Sequence, residues 1–141
     1  MAVYVPVMIV PAHLISNRGG IMHTTRTAFL TEDWDLMLET DGTLKMCAGE
    51  IESVLQNCCN EIRLWLHDAY FRYEDGTDYK LILANKSHGT RLLTVIRQAI
   101  LRLDSTIKIK EITVNSLDVE DRVITGRIAI EWRGDYGERN F

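Results

Sequence analysis

Apolar residues recur at three- and four-residue steps in two stretches of the chain and at two-residue steps in three others, and the change of period predicts the order of elements. Ile51, Val54, Leu55, Cys58, Ile62, Trp65 and Leu66 form one stripe on a helix of roughly 48 to 67, with Cys58 in the stripe and Cys59 on its border. Leu92, Leu93, Ile96, Ala99, Ile100 and Leu103 form another on a helix of roughly 90 to 103, whose outer face carries Arg91, Arg97 and Arg102. Ahead of the first helix, Trp34, Leu36 and Leu38 alternate with other residues up to Asp41-Gly42, a hairpin dipeptide. Behind the second, Ile107 and Ile109 alternate with Lys108 and Lys110, and Ile124, Ile128, Ile130 and Trp132 share one face of "RVITGRIAIEW". The alternation slips near Glu111-Ile112, as a β-bulge produces.

Hairpin, helix, loop, helix, hairpin is the order of an α+β fold, with a small antiparallel β-sheet packed against two main helices. A sheet this small has open edges, which must be covered, charged or used for pairing with a partner. The chain divides into an extended N-terminal arm and linker, residues 1–32, a domain over 33–133, and a C-terminal tail, 134–141. In the arm, Pro6 and Pro11 oppose helix while valine, tyrosine and isoleucine favour extension, and "SNRGG" then breaks the run. Tyr4, Val5, Val7 and Ile9 are its candidate contacts, on its own domain or on a partner, because the arm is apolar on both faces. It lacks a positively charged leader and falls short of the roughly 20 residues a membrane helix needs, so it is read as neither signal peptide nor anchor.

At 141 residues and 46% hydrophobic composition, one domain with a real core is expected. A net charge of -4, from 16 basic and 20 acidic side chains interspersed along the chain, argues against a nucleic-acid partner. Cys47, Cys58 and Cys59 are odd in number and show no CxxC spacing, so neither a disulfide framework nor a zinc site is signalled. A reducing compartment is the default reading, with Cys58 buried and Cys47 at the exposed end of the hairpin.

Candidate chemistry is thin. Asp68, Glu74, Asp75 and Asp78 could supply a carboxylate pair for glycoside hydrolysis, but nothing marks one as buried and the other as solvated. The reading as a solvated turn is favoured. His67 beside Asp68 reads as a helix-end histidine meeting the macrodipole rather than an oriented base, and His13, His23 and His88 show no ligand spacing. No glycine-rich phosphate loop, dinucleotide fingerprint or calcium loop is present, so no cofactor, metal or small-molecule ligand is expected. Tyr70, Phe71, Tyr73 and Tyr79 are expected to bury their rings against both helices, which makes the connection a packing element.

Taken together, "DWDLMLETDGTLKM", the helix "EIESVLQNCCNEIRLWL", the connection "YFRYEDGTDYKLIL", and a second helix followed by a terminal hairpin resemble the baseplate wedge proteins of contractile-tailed phages. That family includes gene product 25 of phage T4, protein W of phage P2 and the type VI secretion baseplate component. The resemblance covers about residues 33 to 133 in element order, and its most specific part is the aromatic, acidic, glycine-containing connection. It implies a non-enzymatic structural subunit in the virion's tail baseplate, assembled in the host cytoplasm, with several copies, six by family expectation, per baseplate. Its implied partners are other wedge proteins and the tail sheath protein, whose arms would add strands to the sheet. Arg127, Ala129 and Glu131 in the last predicted strand are then the candidate edge positions for the sheath. Asp104, Ser105 and Thr106 stand where many members carry a Glu-Pro-Arg motif that contacts the wedge core, and are the candidate positions for that contact. Rival readings are a cell-wall hydrolase of the tail and a cytosolic adaptor domain.

Overall fold

The first helix ends earlier than its apolar stripe does, because the chain leaves it to pair with a later loop. In the computed structural model, which describes residues 27–31, 33–70, 72–83 and 89–141 without the Thr90 side chain, α1 spans Glu50–Arg63. Glu50 and Glu52 sit in its first turn and Arg63 in its last, each favourable to the helix dipole. Leu64 then turns extended, and Trp65 pairs with Thr77 instead of continuing the helix. His67 consequently lies beyond the helix, with its ring stacked on Tyr73, so the expected helix-end role does not hold. A short helix not foreseen from the sequence, α2 (Tyr79–Leu83), starts where the Asp78 carboxylate accepts the Leu81 N–H at 3.0 Å. The basic-faced helix is α3 (Gly89–Leu103).

Three antiparallel strands, β1 (Lys108–Asp118), β2 (Val123–Trp132) and β3 (Asp135–Asn140), lie side by side in chain order. The fold is α+β. The β1–β2 register skips at Lys110 and Asn115, and the first skip is the bulge expected beside Glu111. α1 packs across β2 and β3 and against α3. The core beneath it gathers Val54, Cys58, Ile62, Ile96, Ile100, Ile128, Ile130 and Trp132. The opposite sheet face is polar, with Glu131 paired to Lys108 at 3.0 Å and to Lys110 at 2.6 Å, and Arg127 paired to Glu138.

The third strand corrects two expectations. Residues 135–140 are not a tail, because Arg133 and Gly134 both take positive φ, 50° and 88°, and fold a two-residue hairpin that returns the chain along β2. At its end Phe141 exchanges two backbone hydrogen bonds with Gly126, at 2.8 and 2.9 Å, and lays its ring over that glycine. The sheet also covers Cys59, whose thiol approaches the Asn140 carbonyl at 3.9 Å, so Cys59 is as buried as Cys58 rather than at a border. Burial pushes the Cys59 thiol up to about 12.

Residues 27–47 form a second, smaller set of antiparallel pairs: Ala28 with Met46, Leu30 with Leu36, and Leu38 with Leu44 around the Asp41-Gly42 turn. The domain therefore reaches past both expected bounds, to Thr27 on one side and Phe141 on the other. Cys47 is buried rather than exposed, because Thr27 and Gln56 close over it. The arm residues Tyr4, Val5, Val7 and Ile9 lie outside the described residues, as do Phe71, His13, His23 and His88.

Candidate functional site

Arg127, Ala129 and Glu131 do not lie on an edge. β2 is the central strand: Arg127 sits opposite Thr113 and Asn140, Ala129 opposite Glu111 and Glu138, and Glu131 opposite Lys108 and Tyr136. With a strand on each side, their backbone has no room for another chain, and the cause is the hairpin at Arg133-Gly134. Arg127 and Glu131 instead serve the polar face through their ion pairs, and Ala129 is buried between them.

The edges belong to β1 and β3. On β3 the doubly bonded Gly126–Phe141 pair sets the phase of the antiparallel ladder, so Arg139, Gly137 and Asp135 turn their backbone groups toward β2. The N–H and C=O of Tyr136 and Glu138 point the other way, outward from the sheet. A cleft of about 1010 Å³ passes this edge. Phe29, Leu30 and Trp34 line it from the small hairpin, Ile51 and Leu55 from α1, and residues 137–141 from β3. Close approach of α1 to β3 is possible because position 137 is glycine, where a Cβ would stand 2.5 Å from the Leu55 side chain. Three arginines line the cleft: Arg63 stacks over Trp34 at 4.2 Å, Arg127 pairs with Glu138, and Arg139 donates to the Leu30 carbonyl at 2.6 Å. Backbone groups that face outward, with no backbone partner among the described residues, beside a cleft of mixed apolar and charged lining suit an incoming extended segment.

Asp104, Ser105 and Thr106 close α3 and aim the chain into β1. The Asp104 carboxylate accepts the Thr106 N–H at 2.8 Å and its hydroxyl at 2.7 Å, and on its other oxygen the Trp132 indole N–H at 3.0 Å. Burial pushes the Asp104 carboxyl up, but these hydrogen bonds outweigh it and hold the group below the usual aspartate value. Ser105 and Thr106 are exposed.

Three of the four acids of the aromatic connection are engaged in structural contacts. Asp68 pairs with Arg122 at 2.8 Å, Asp75 with Arg72, and Asp78 begins α2, while Glu74 is exposed. Tyr70 and Tyr73 are 84% and 61% exposed, so of the described rings only Tyr79 is buried as expected. A different carboxylate, Glu61, is the buried one. Its stripe position on α1 gave no signal, because glutamate on a helix reads as solvated. It accepts the Gly76 N–H at 2.8 Å, and Arg102 holds the Gly76 carbonyl at 2.6 Å, tying the connection to α1 and α3.

Desolvation raises the Glu61 carboxyl above the ordinary glutamate value, partly offset by the Gly76 N–H. A carboxyl raised on folding contributes stability that is full below its unfolded value and lost as pH rises through the folded one. Glu61→Gln keeps an acceptor for Gly76 and does not titrate. Urea unfolding of both proteins from about pH 4 to about pH 7 should therefore shift the stability difference steadily in favour of the glutamine variant. A difference independent of pH would refute the shifted group.

Among the described residues no cluster of three or more His, Cys, Asp or Glu is placed to hold a metal ion, and no helix is long and apolar enough to cross a membrane. Compared with protein-family models and with curated proteins, the chain matches none.

Proposed function

We propose that this chain is a structural subunit of the baseplate wedge of a contractile tail, joining the wedge core to the tail sheath and receiving a sheath strand at its sheet. The sequence resemblance supports this reading. The observation that carries it is the outer edge of β3, where the Tyr136 and Glu138 backbone groups face outward beside a cleft lined by both apolar and charged side chains. Strand addition there draws affinity from main-chain hydrogen bonds and specificity from the side chains that enter the cleft. A hydrolase reading has less support, since Asp68, Asp75 and Asp78 are each engaged in a structural contact.

Proline at the edge tests it. Glu138→Pro removes an outward N–H and leaves the β2–β3 bonds in place, whereas Gly137→Pro removes an N–H that β2 uses. Glu138→Ala keeps the N–H and loses only the solvent-exposed pair with Arg127, which water and salt screen. In particles complemented with each variant, Glu138→Pro should enter the baseplate and leave tails without sheath, Glu138→Ala should be normal, and Gly137→Pro should yield misfolded subunit. Fully sheathed tails containing Glu138→Pro would rule out this edge as the receptor.

A further inference from the structure

Exposed apolar side chains gather at two places on the domain, and the charges around them are opposite in sign. Across the small hairpin sheet, alternation puts Leu36, Leu38, Leu44 and Met46 on one side, with Leu38 directly opposite Leu44. All four are exposed, Leu38 and Leu44 by 60% and 45%. Exposed carboxylates stand at both ends of this face: Asp33 and Asp35 at the turn closed by the Thr31 N–H on the Asp35 carbonyl, and Glu39 and Asp41 at the Asp41-Gly42 turn. Lys45 turns to the other side, over the Phe29 ring at 4.9 Å. At the second place the signs reverse, since the chain has no Asp or Glu between Tyr79 and Leu103. Arg91, Arg97 and Leu101 lie on the solvent side of α3, and α2, packed against it, exposes Lys80, Leu81 and Leu83. Lys80, Arg91 and Arg97 join none of the ion pairs among the described residues.

We infer that the hairpin face of one copy of this chain docks on the α2–α3 face of a second copy. One face offers aliphatic side chains between carboxylates and the other offers leucines among arginines and a lysine, so apolar contact and charge pairing are met together. Both halves of that match stand on the same chain, which favours a second copy over a separate partner. Each face is exposed within one copy, so neither covers the other there. The geometry of the contact follows from the signs. Hairpin against hairpin sets carboxylates on carboxylates, and α3 against α3 sets arginines on arginines, so a two-fold contact through either face is opposed and the docking is head-to-tail. Every copy then retains one open face, and further copies add in series to a ring or a row. The inference rests on neither the baseplate reading nor the β3 edge.

Sedimentation velocity of the full chain, from micromolar to millimolar concentration at low salt, tests it with two variants. The hairpin variant combines Leu38→Ser and Leu44→Ser, which removes the apolar centre, and the helix variant combines Arg91→Glu and Arg97→Glu, which repels the carboxylates. All four positions are exposed, so circular dichroism of both should match the parent. The parent should associate as concentration rises, with a dissociation constant about tenfold weaker at high salt than at low salt, because exposed charges are screened. Each variant alone should stay monomeric. Mixed in equal amounts they should form pairs and nothing larger, since the hairpin variant still presents its α3 face and the helix variant its hairpin, which leaves one intact contact. A parent that is monomeric throughout, association that survives in either variant alone, association indifferent to salt, or a mixture that stays monomeric would each overturn the assignment. The parent's own mass at low and high salt decides the case even where a variant fails to fold.

Discussion

Phe141→Ala should lower the unfolding free energy by about 3 to 5 kcal/mol, the range for truncating a buried phenylalanine. The ring is 6% exposed and occupies the space above Gly126, where a Cβ would meet it at 2.6 Å and where glycine has no side chain of its own to refill the gap. Its backbone also carries the two bonds that hold the end of β3 on β2. Deleting residues 135–141 goes further. It uncovers Ile128 and Ile130 on β2 and Leu55 and Cys59 on α1, all buried in the intact domain. With domains of this size stable by about 5 to 15 kcal/mol, cooperative unfolding should be lost. Urea titrations followed by circular dichroism decide both cases. A loss under about 1 kcal/mol for Phe141→Ala would show that β3 is not bound as described.

That strand is also where sequence reasoning stopped short, and one cause explains several displaced residues. "DYGERNF" has no apolar alternation, because β3 turns Gly137 and Arg139 rather than aliphatic side chains toward α1, and period-two patterns detect only apolar faces. Its turn was equally quiet: Arg133-Gly134 lacks the asparagine or aspartate that usually announces two positive-φ residues. Once β3 is absent, β2 becomes the edge, Arg127, Ala129 and Glu131 become its free positions, and Cys59 loses its cover. The helices were legible because α1 and α3 each bury a continuous stripe, and β1 because Ile107 and Ile109 alternate with paired lysines. The outer edge of β3 is built by polar residues, Tyr136 and Glu138, whose backbone groups face outward. Sequence periodicity carries no record of an unpaired amide.

Tyr79→Ala should cost a similar 3 to 5 kcal/mol, and the reasons separate into ring and hydroxyl. The ring is 1% exposed and lies 5.1 Å from the Trp65 ring, in the junction between α1, α2 and α3. The hydroxyl donates to the Ile62 carbonyl, one of the last four of α1, which have no partner within the helix. Tyr79→Phe keeps the ring and orphans that buried carbonyl, so it should cost about 1 to 3 kcal/mol. Tyr73→Ala, at a ring 61% exposed, should change stability by no more than about 0.5 kcal/mol. The three variants together test whether the aromatic connection is held by one ring or by several. Equal losses at Tyr73 and Tyr79 would mean that the connection packs as a cluster, and a neutral Tyr79→Phe would remove the hydroxyl as the cap of α1.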